Sequence, residues 1–220
     1  MTYQPTLNPP DRSSALPGPT PGTPTWPALE VACESAAMDL EAAQRAAADF
    51  LTALGIDLDR EELQAAPARM ARAYAELLDT QPPRLTTFPN DDGYDELVLA
   101  RAIPFRTICE HHMLPFSGTA HVGYLPGERI LGLSKLAPLV EHFAGRPQTQ
   151  ERLTKQVAEC LVTHLRPRGV GVVLEAGHSC MTQRGVHALG AMTVTSVLLG
   201  TLRTDARSRA EFFALARVPS

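Results

Sequence analysis

The chain has 220 residues, a formal net charge of -4 and only two lysines, Lys135 and Lys155, among its 20 basic residues. That length buries one sizeable core and cramps a second, and the acidic balance leaves no global basic field, so nucleic acid is not favoured as a partner. No apolar run reaches membrane-spanning length, the N-terminus pairs no charged region with an apolar one, and the four cysteines lack the regular spacing of a secreted disulfide framework, which together predict a cytoplasmic protein without a membrane partner.

Residues 1–28 hold eight of the 19 prolines among Ser, Thr and Gly and are read as a disordered tail. Cys33 offers nothing beyond a free thiol. From Glu34 to Leu54, Met38, Ala42, Ala46, Phe50 and Leu54 recur at four-residue steps, which predicts an amphipathic helix closed by Gly55. Asp59 and Glu62 resemble a capping pair. Pro67 suits a first helical position, and Met70, Tyr74, Leu77 and Leu78 form the apolar side of a second helix, with Arg69 and Arg72 elsewhere on it. Residues 80–93 read as a loop.

The period then changes. Leu97 to Ile108, Gly118 to Leu125 and Ile130 to Leu133 are short, rich in Val, Ile, Phe and Tyr, and bounded by Pro and Gly, as antiparallel strands are. Leu136 to Phe143 and Thr149 to Leu165 revert to helical spacing, with Leu153, Val157, Leu161 and Leu165 as a core stripe and Cys160 as a buried small hydrophobe; Pro167 ends that helix. Val170 to Glu175 and Met192 to Leu202 predict two more strands, and Asp205 caps a last helix. Strands in runs, not alternating singly with helices, predict an α+β fold: a largely antiparallel sheet with helices on one face, preceded by N-terminal helices at about 34–80.

Chemistry gathers in separated runs. Cys109 and His112, in Cys109-Glu110-His111-His112, have the spacing of a zinc half-site, and Cys180, in His178-Ser179-Cys180, supplies a third ligand type. Three ligands, not four, lean toward catalytic zinc with a position kept for water, while a structural site would recruit His111 or His178 as the fourth. Either histidine is otherwise a candidate proton carrier. Ser134 and Lys135 lie at a strand-to-helix junction where amides receive anions, unless Ser134 is simply an N-cap. Glu151, in a first helical turn, serves the helix dipole or accepts hydrogen bonds from a guanine edge.

Taken together, Cys109 to Gly118, Gly132-Leu133-Ser134-Lys135, Gln148 to Thr154, and His178 to Met181 with Arg184-Gly185-Val186 resemble GTP cyclohydrolase I over about residues 51–216. The resemblance implies a T-fold (tunnelling fold) subunit in a toroidal homodecamer. It implies conversion of GTP and water to 7,8-dihydroneopterin triphosphate and formate, the entry to tetrahydrofolate-type pterins, with one zinc per subunit on Cys109, His112 and Cys180. By the same resemblance His178, His111 and Ser134 are catalytic, Glu151 and Gln150 meet the guanine, and Lys135, Arg184 and Arg69 surround the triphosphate. Two positions depart from the pattern: Pro138 stands where arginine is common and Gly177 where an acidic residue is common. The alternative is a weakened paralogue, acting on a related purine nucleotide or serving as a non-catalytic ring subunit.

Overall fold

A computed structural model describes residues 29–30, 37–79 and 82–216. The tail assigned to 1–28 and Cys33 lie outside these residues. Strand β1 (Leu29–Glu30) pairs with β2 (Arg84–Leu85). Helix α1 (Leu40–Ala53) begins later than the four-residue periodicity suggests, because the Asp39 side chain caps it by accepting from the Ala42 amide at 2.9 Å. Gly55, at φ 79°, takes the left-handed conformation just past the end. Helix α2 (Ala66–Leu78) has Pro67 in its first turn.

Two local expectations fail here. Asp59 and Glu62 cap nothing: residues 58–65 are mostly consecutive turns, and the Asp59 amide is satisfied by Asp57 Oδ1 at 3.1 Å, well short of the helix start. The presumed loop 80–93 contains β2 and also β3 (Thr87–Pro89), which pairs antiparallel with β6 (Arg129–Leu131). Its Pro- and Thr-rich composition hides the strands, which are held by long-range partners: Leu85 is buried, and Arg129 donates to the Thr87 hydroxyl at 2.7 Å.

The main sheet has five strands: β4 (Val98–Cys109), β5 (Pro115–Leu125), β7 (Pro147–Gln148), β8 (Gly169–His178) and β9 (Thr193–Gly200), in the order β7-β4-β5-β8-β9. Only the short β4–β7 pairing is parallel. Alternation along β5 and β8 sends Ala120, Val122, Tyr124, Val170, Val172, Leu174 and Ala176 into one core. There they join Leu136, Leu139 and Val140 of α3 (Leu136–Ala144) and Leu153, Val157 and Leu161 of α4 (Gln150–Leu165). This is the α+β T-fold arrangement expected, with the two core helices on one face.

After β8 come α5 (Ser179–Thr182), then β9, which ends at Gly200 and gives way to α6 (Thr201–Thr204), so the expected strand stops two residues early. Asp205 caps α7 (Ala206–Ala216), its carboxylate accepting from the Ser208 amide at 2.7 Å. Phe212 of α7 lies on the opposite face of the sheet over Gly171, where a Cβ would come 2.7 Å from the ring. A bulge between Ala100 and Ile103 kinks β4, with Ala102 at φ 54°. No helix among the described residues is long and apolar enough to cross a membrane.

Register places the chemistry at one end of the sheet. Ile108 pairs with Pro115, Cys109 with Gln148, and Phe116 with His178. The end of β4, the start of β5, the end of β8 and the first turn of α4 therefore meet there.

Candidate functional site

The segment between β4 and β5 is a tight turn that presents Cys109 and His112 together. The Cys109 carbonyl accepts from the amides of His112 (3.3 Å) and Met113 (2.8 Å), and the Cys109 amide donates to the Leu114 carbonyl at 2.9 Å. Met113 closes the turn at φ 52°, an uncommon conformation for a non-glycine residue. Three outside contacts hold the turn. The Glu110 amide donates to the Gln148 carbonyl (3.1 Å), the Tyr74 hydroxyl of α2 donates to the Met113 carbonyl (2.8 Å), and Arg152 of α4 is ion-paired with Glu110.

Cys180, in the single turn of α5, completes a trio with Cys109 and His112 whose ligand atoms all lie within 4.8 Å of one another. Cys109 Sγ and His112 Nδ1 are 3.9 Å apart. Tetrahedral zinc with its usual bond lengths separates sulfur and nitrogen ligands by about 3.6 Å, so the trio closes on an ion with small adjustments. Electrostatics agree with this donor set. Burial and the neighbouring Cys109 thiol push the Cys180 thiol above its ordinary value, with Arg184 pulling the other way. A thiol that resists ionising, as Cys180 does, becomes a favourable thiolate once a divalent cation sits beside it.

His111 and His112 are both exposed and diverge, their rings 6.4 Å apart and nearly perpendicular: His112 turns its Nδ1 toward Cys109, while Glu110 Oε1 lies 3.8 Å from His111 Nε2. His178 stacks flat on Phe116, with ring centroids 4.2 Å apart and an interplanar angle of 10°. Its Nε2 lies 2.7 Å from the side-chain oxygen of Gln150. Burial holds the His178 imidazole below its ordinary value, and the nearby Glu151 carboxylate works against that shift. Thr149 is the N-cap of α4 and accepts from the Arg152 amide at 3.2 Å, which leaves Glu151 exposed in the first turn.

Cys109, His112, Cys180, His111, His178, Gln150, Glu151 and Arg184 therefore belong to one neighbourhood. Gln150 is buried, and its amide is engaged inside the subunit with His178 and two backbone carbonyls. Ser134 and Lys135 lie in a 3-10 turn (Leu133–Lys135) between β6 and α3, sharing no hydrogen bond with the cluster among the described residues, and Ser134 caps no helix. Arg69 is exposed on α2 and donates to the Glu62 carbonyl at 3.2 Å. Pro138 is exposed in the first turn of α3, where a missing amide hydrogen costs no helical bond.

Sequence reasoning passed over Tyr74, Phe116, Glu110 and Arg152. A signal existed for the last of these: a cation in the first turn of a helix opposes the dipole, which suggests that it is there to pair with something. Phe116 had none, since an aromatic at the start of a strand is ordinary core.

The family model for GTP cyclohydrolase I matches residues 43–217. A GTP cyclohydrolase 1 of Mycobacterium ulcerans is 51% identical over 180 residues, covering 80% of this chain and 89% of the relative. The GTP cyclohydrolase 1 of Mycobacterium tuberculosis is 49% identical over 178 residues, covering 79% and 88%. Among solved structures, an archaeosine synthase QueF-Like in the apo form is similar at a TM-score of 0.37 and 16% identity, over 49% of this chain and 94% of that one.

Proposed function

Because this chain belongs to the GTP cyclohydrolase I family, we propose that it converts GTP and water to 7,8-dihydroneopterin triphosphate and formate, the first step toward tetrahydrofolate-type pterins. The observation that carries this reading is the convergence of Cys109, His112 and Cys180 beside His178, in a chain that matches the family along most of its length. These three residues would hold one zinc ion, which when bound supplies Lewis acidity for the hydrolytic water.

The remaining chemistry falls to side chains. His178 holds and transfers the proton at the guanine imidazole ring, so that the ring can accept electrons when water adds. Glu151, exposed at the start of α4, is suited to accept two hydrogen bonds from the guanine edge. His111, free to turn away from the cysteines, serves later proton transfers with Ser134 at the ribose. Lys135, Arg184 and Arg69 supply positive charge to the triphosphate.

A second copy of the chain is part of this reading. Among the described residues, Ser134, Lys135 and Arg69 share no hydrogen bond with the cluster, and both edges of the sheet are open: β9 lacks an outer partner, and β4 has one only at Ile108 and Cys109. Val186, Leu189 and Val194, near the site, are exposed apolar residues. Unpaired edges and apolar patches of this kind favour pairing with another chain, here a ring of identical subunits, with the decamer as the expected closed form. The cytoplasm, where thiols stay reduced, suits free Cys109 and Cys180.

The test is the appearance of neopterin fluorescence from GTP, after oxidation and dephosphorylation of the product, with and without a chelator. Product that is lost on chelation and restored by zinc is expected. No product from zinc-loaded protein overturns the catalytic reading in favour of a non-catalytic paralogue, and product insensitive to metal removal overturns the zinc assignment.

A further inference from the structure

Gln150 occupies a position that its expected contact with guanine does not explain. It is 2% exposed, at the first residue of α4, and every polar atom of its side chain is engaged. The amide nitrogen donates to two backbone carbonyls on adjacent strands, Leu174 of β8 at 3.1 Å and Thr193 at the start of β9 at 2.9 Å. The amide oxygen lies 2.7 Å from His178 Nε2.

This arrangement fixes more than a distance. Turning the amide over would aim its oxygen at two carbonyl oxygens, with no hydrogen between any of them, so the orientation with nitrogen toward Leu174 and Thr193 is the one the site permits. The oxygen facing His178 can then only accept, and Nε2 must carry the hydrogen. Phe116 fixes the ring plane by stacking, at 4.2 Å and 10°. Two constraints, one in the plane of the imidazole and one across its face, leave the ring no alternative flip. Among the described residues Nδ1 has no partner.

We propose that Gln150 is a positioning residue that holds His178 as the Nε2–H tautomer, so that Nδ1 is the atom through which His178 exchanges its proton with the substrate. The inference rests on the proposed role of His178 as proton carrier and assigns to that role a particular nitrogen and a particular support. Gln150 acts through His178 and touches no reacting atom. An intact buried amide selects one tautomer out of two, and losing it lets the ring rotate or change tautomer, which misaligns proton transfer without altering how tightly GTP is held.

A double-mutant cycle on the zinc-loaded full chain tests this, with kcat and KM for GTP measured for wild type, Gln150→Leu, His178→Ala and the double variant. Gln150→Leu is expected to lower kcat by about 10- to 100-fold, the range found when an outer support of a catalytic group is removed, with KM changing less than about threefold. In the His178→Ala background the same substitution is expected to cost almost nothing, because the group it supports is gone. Additive losses overturn the proposal, as does a rise in KM at unchanged kcat, which would make Gln150 a substrate contact. If His178→Ala leaves kcat intact, the proton-carrier reading itself fails, an outcome separable from the others. Should Gln150→Leu not fold, wild-type protein decides: nitrogen NMR of histidine-labelled holoprotein, with the His178 signal identified by its loss in His178→Ala, reads Nε2–H if the proposal holds. A neutral Nδ1–H signal overturns it.

Discussion

Replacing Arg152 with Met removes a guanidinium but keeps most of the aliphatic stem, and the structure says where the cost falls. Arg152 donates to Glu110, to the Pro147 carbonyl at 2.7 Å and to Gln148 Oε1 at 2.8 Å. The Glu110 contact joins side chains that are 42% and 31% exposed, so solvent screening holds it to about 0.2–1 kcal/mol. Gln148 is different. It is fully buried, and its amide nitrogen is already committed to the Phe143 carbonyl and Gln156 Oε1, both at 2.7 Å, so its oxygen has no other donor once Arg152 is gone. A stranded buried acceptor costs about 1–3 kcal/mol, which makes the total for Arg152→Met about 2 kcal/mol, most of it from Gln148. Glu110→Gln removes only the ion pair and leaves Gln148 satisfied, so it costs under about 1 kcal/mol. Urea unfolding of the zinc-loaded protein measures both as shifts of midpoint at unchanged slope. Release of zinc to a chromogenic chelator should accelerate in both variants, since each frees the turn that carries Cys109 and His112. A Glu110→Gln loss equal to or larger than the Arg152→Met loss would refute the assignment of the energy to Gln148.

Acidification should destabilise the protein through His121, which is buried, and whose imidazole is held below its ordinary value by burial first and by Arg101 second, with Glu175 opposing. A depressed imidazole leaves the unfolded chain binding more protons, so stability is full above the ordinary histidine value of about 6.5 and is lost as pH falls toward the folded value. A His121→Leu variant should therefore show a flatter stability profile below about pH 6.5, measured by thermal unfolding, and an unchanged slope would count against the assignment. Gly171→Ala drives a methyl into the Phe212 ring and should cost about 1–3 kcal/mol in chemical denaturation; a neutral effect would mean that α7 moves freely. Pro138→Arg restores a cation at an exposed position and should lower KM for GTP by about 10-fold or more while leaving zinc content unchanged, and an unaltered KM would remove Pro138 from any account of triphosphate binding.

The parts of this molecule legible in the sequence are those where one segment carries its own pattern. The Leu153-Val157-Leu161-Leu165 stripe specifies α4 by spacing alone, and all four residues are buried. The Cys109–His112 half-site is legible for the same reason: its geometry is local to one turn. Cys180 could be nominated by chemistry, yet its arrival beside Cys109 depends on the β5–β8 register, which pairs Phe116 with His178. What failed was decided by distant partners. β2 and β3 exist because β1 and β6 offer them backbone groups, and nothing in residues 84–89 announces that. The burial of Gln150 was likewise hidden: only the closeness of Leu174, Thr193 and His178 engages its side chain inside the subunit. Among the described residues, Ser134, Lys135 and Arg69 share no hydrogen bond with the cluster.

The hydroxyl of Tyr74 on the carbonyl of Met113 joins the helical appendage of α1 and α2 to the turn that carries two metal ligands. Linkage makes that contact work in both directions. If docking of the helices favours the liganded shape of the turn, then occupation of the turn favours docking by the same free energy. Withdrawal of the ion should be felt as faster amide exchange along α2, and a shift in those helices should appear as a change in metal affinity. The helices are then a gauge of whether the centre is filled, read out on the opposite end of one hydrogen bond.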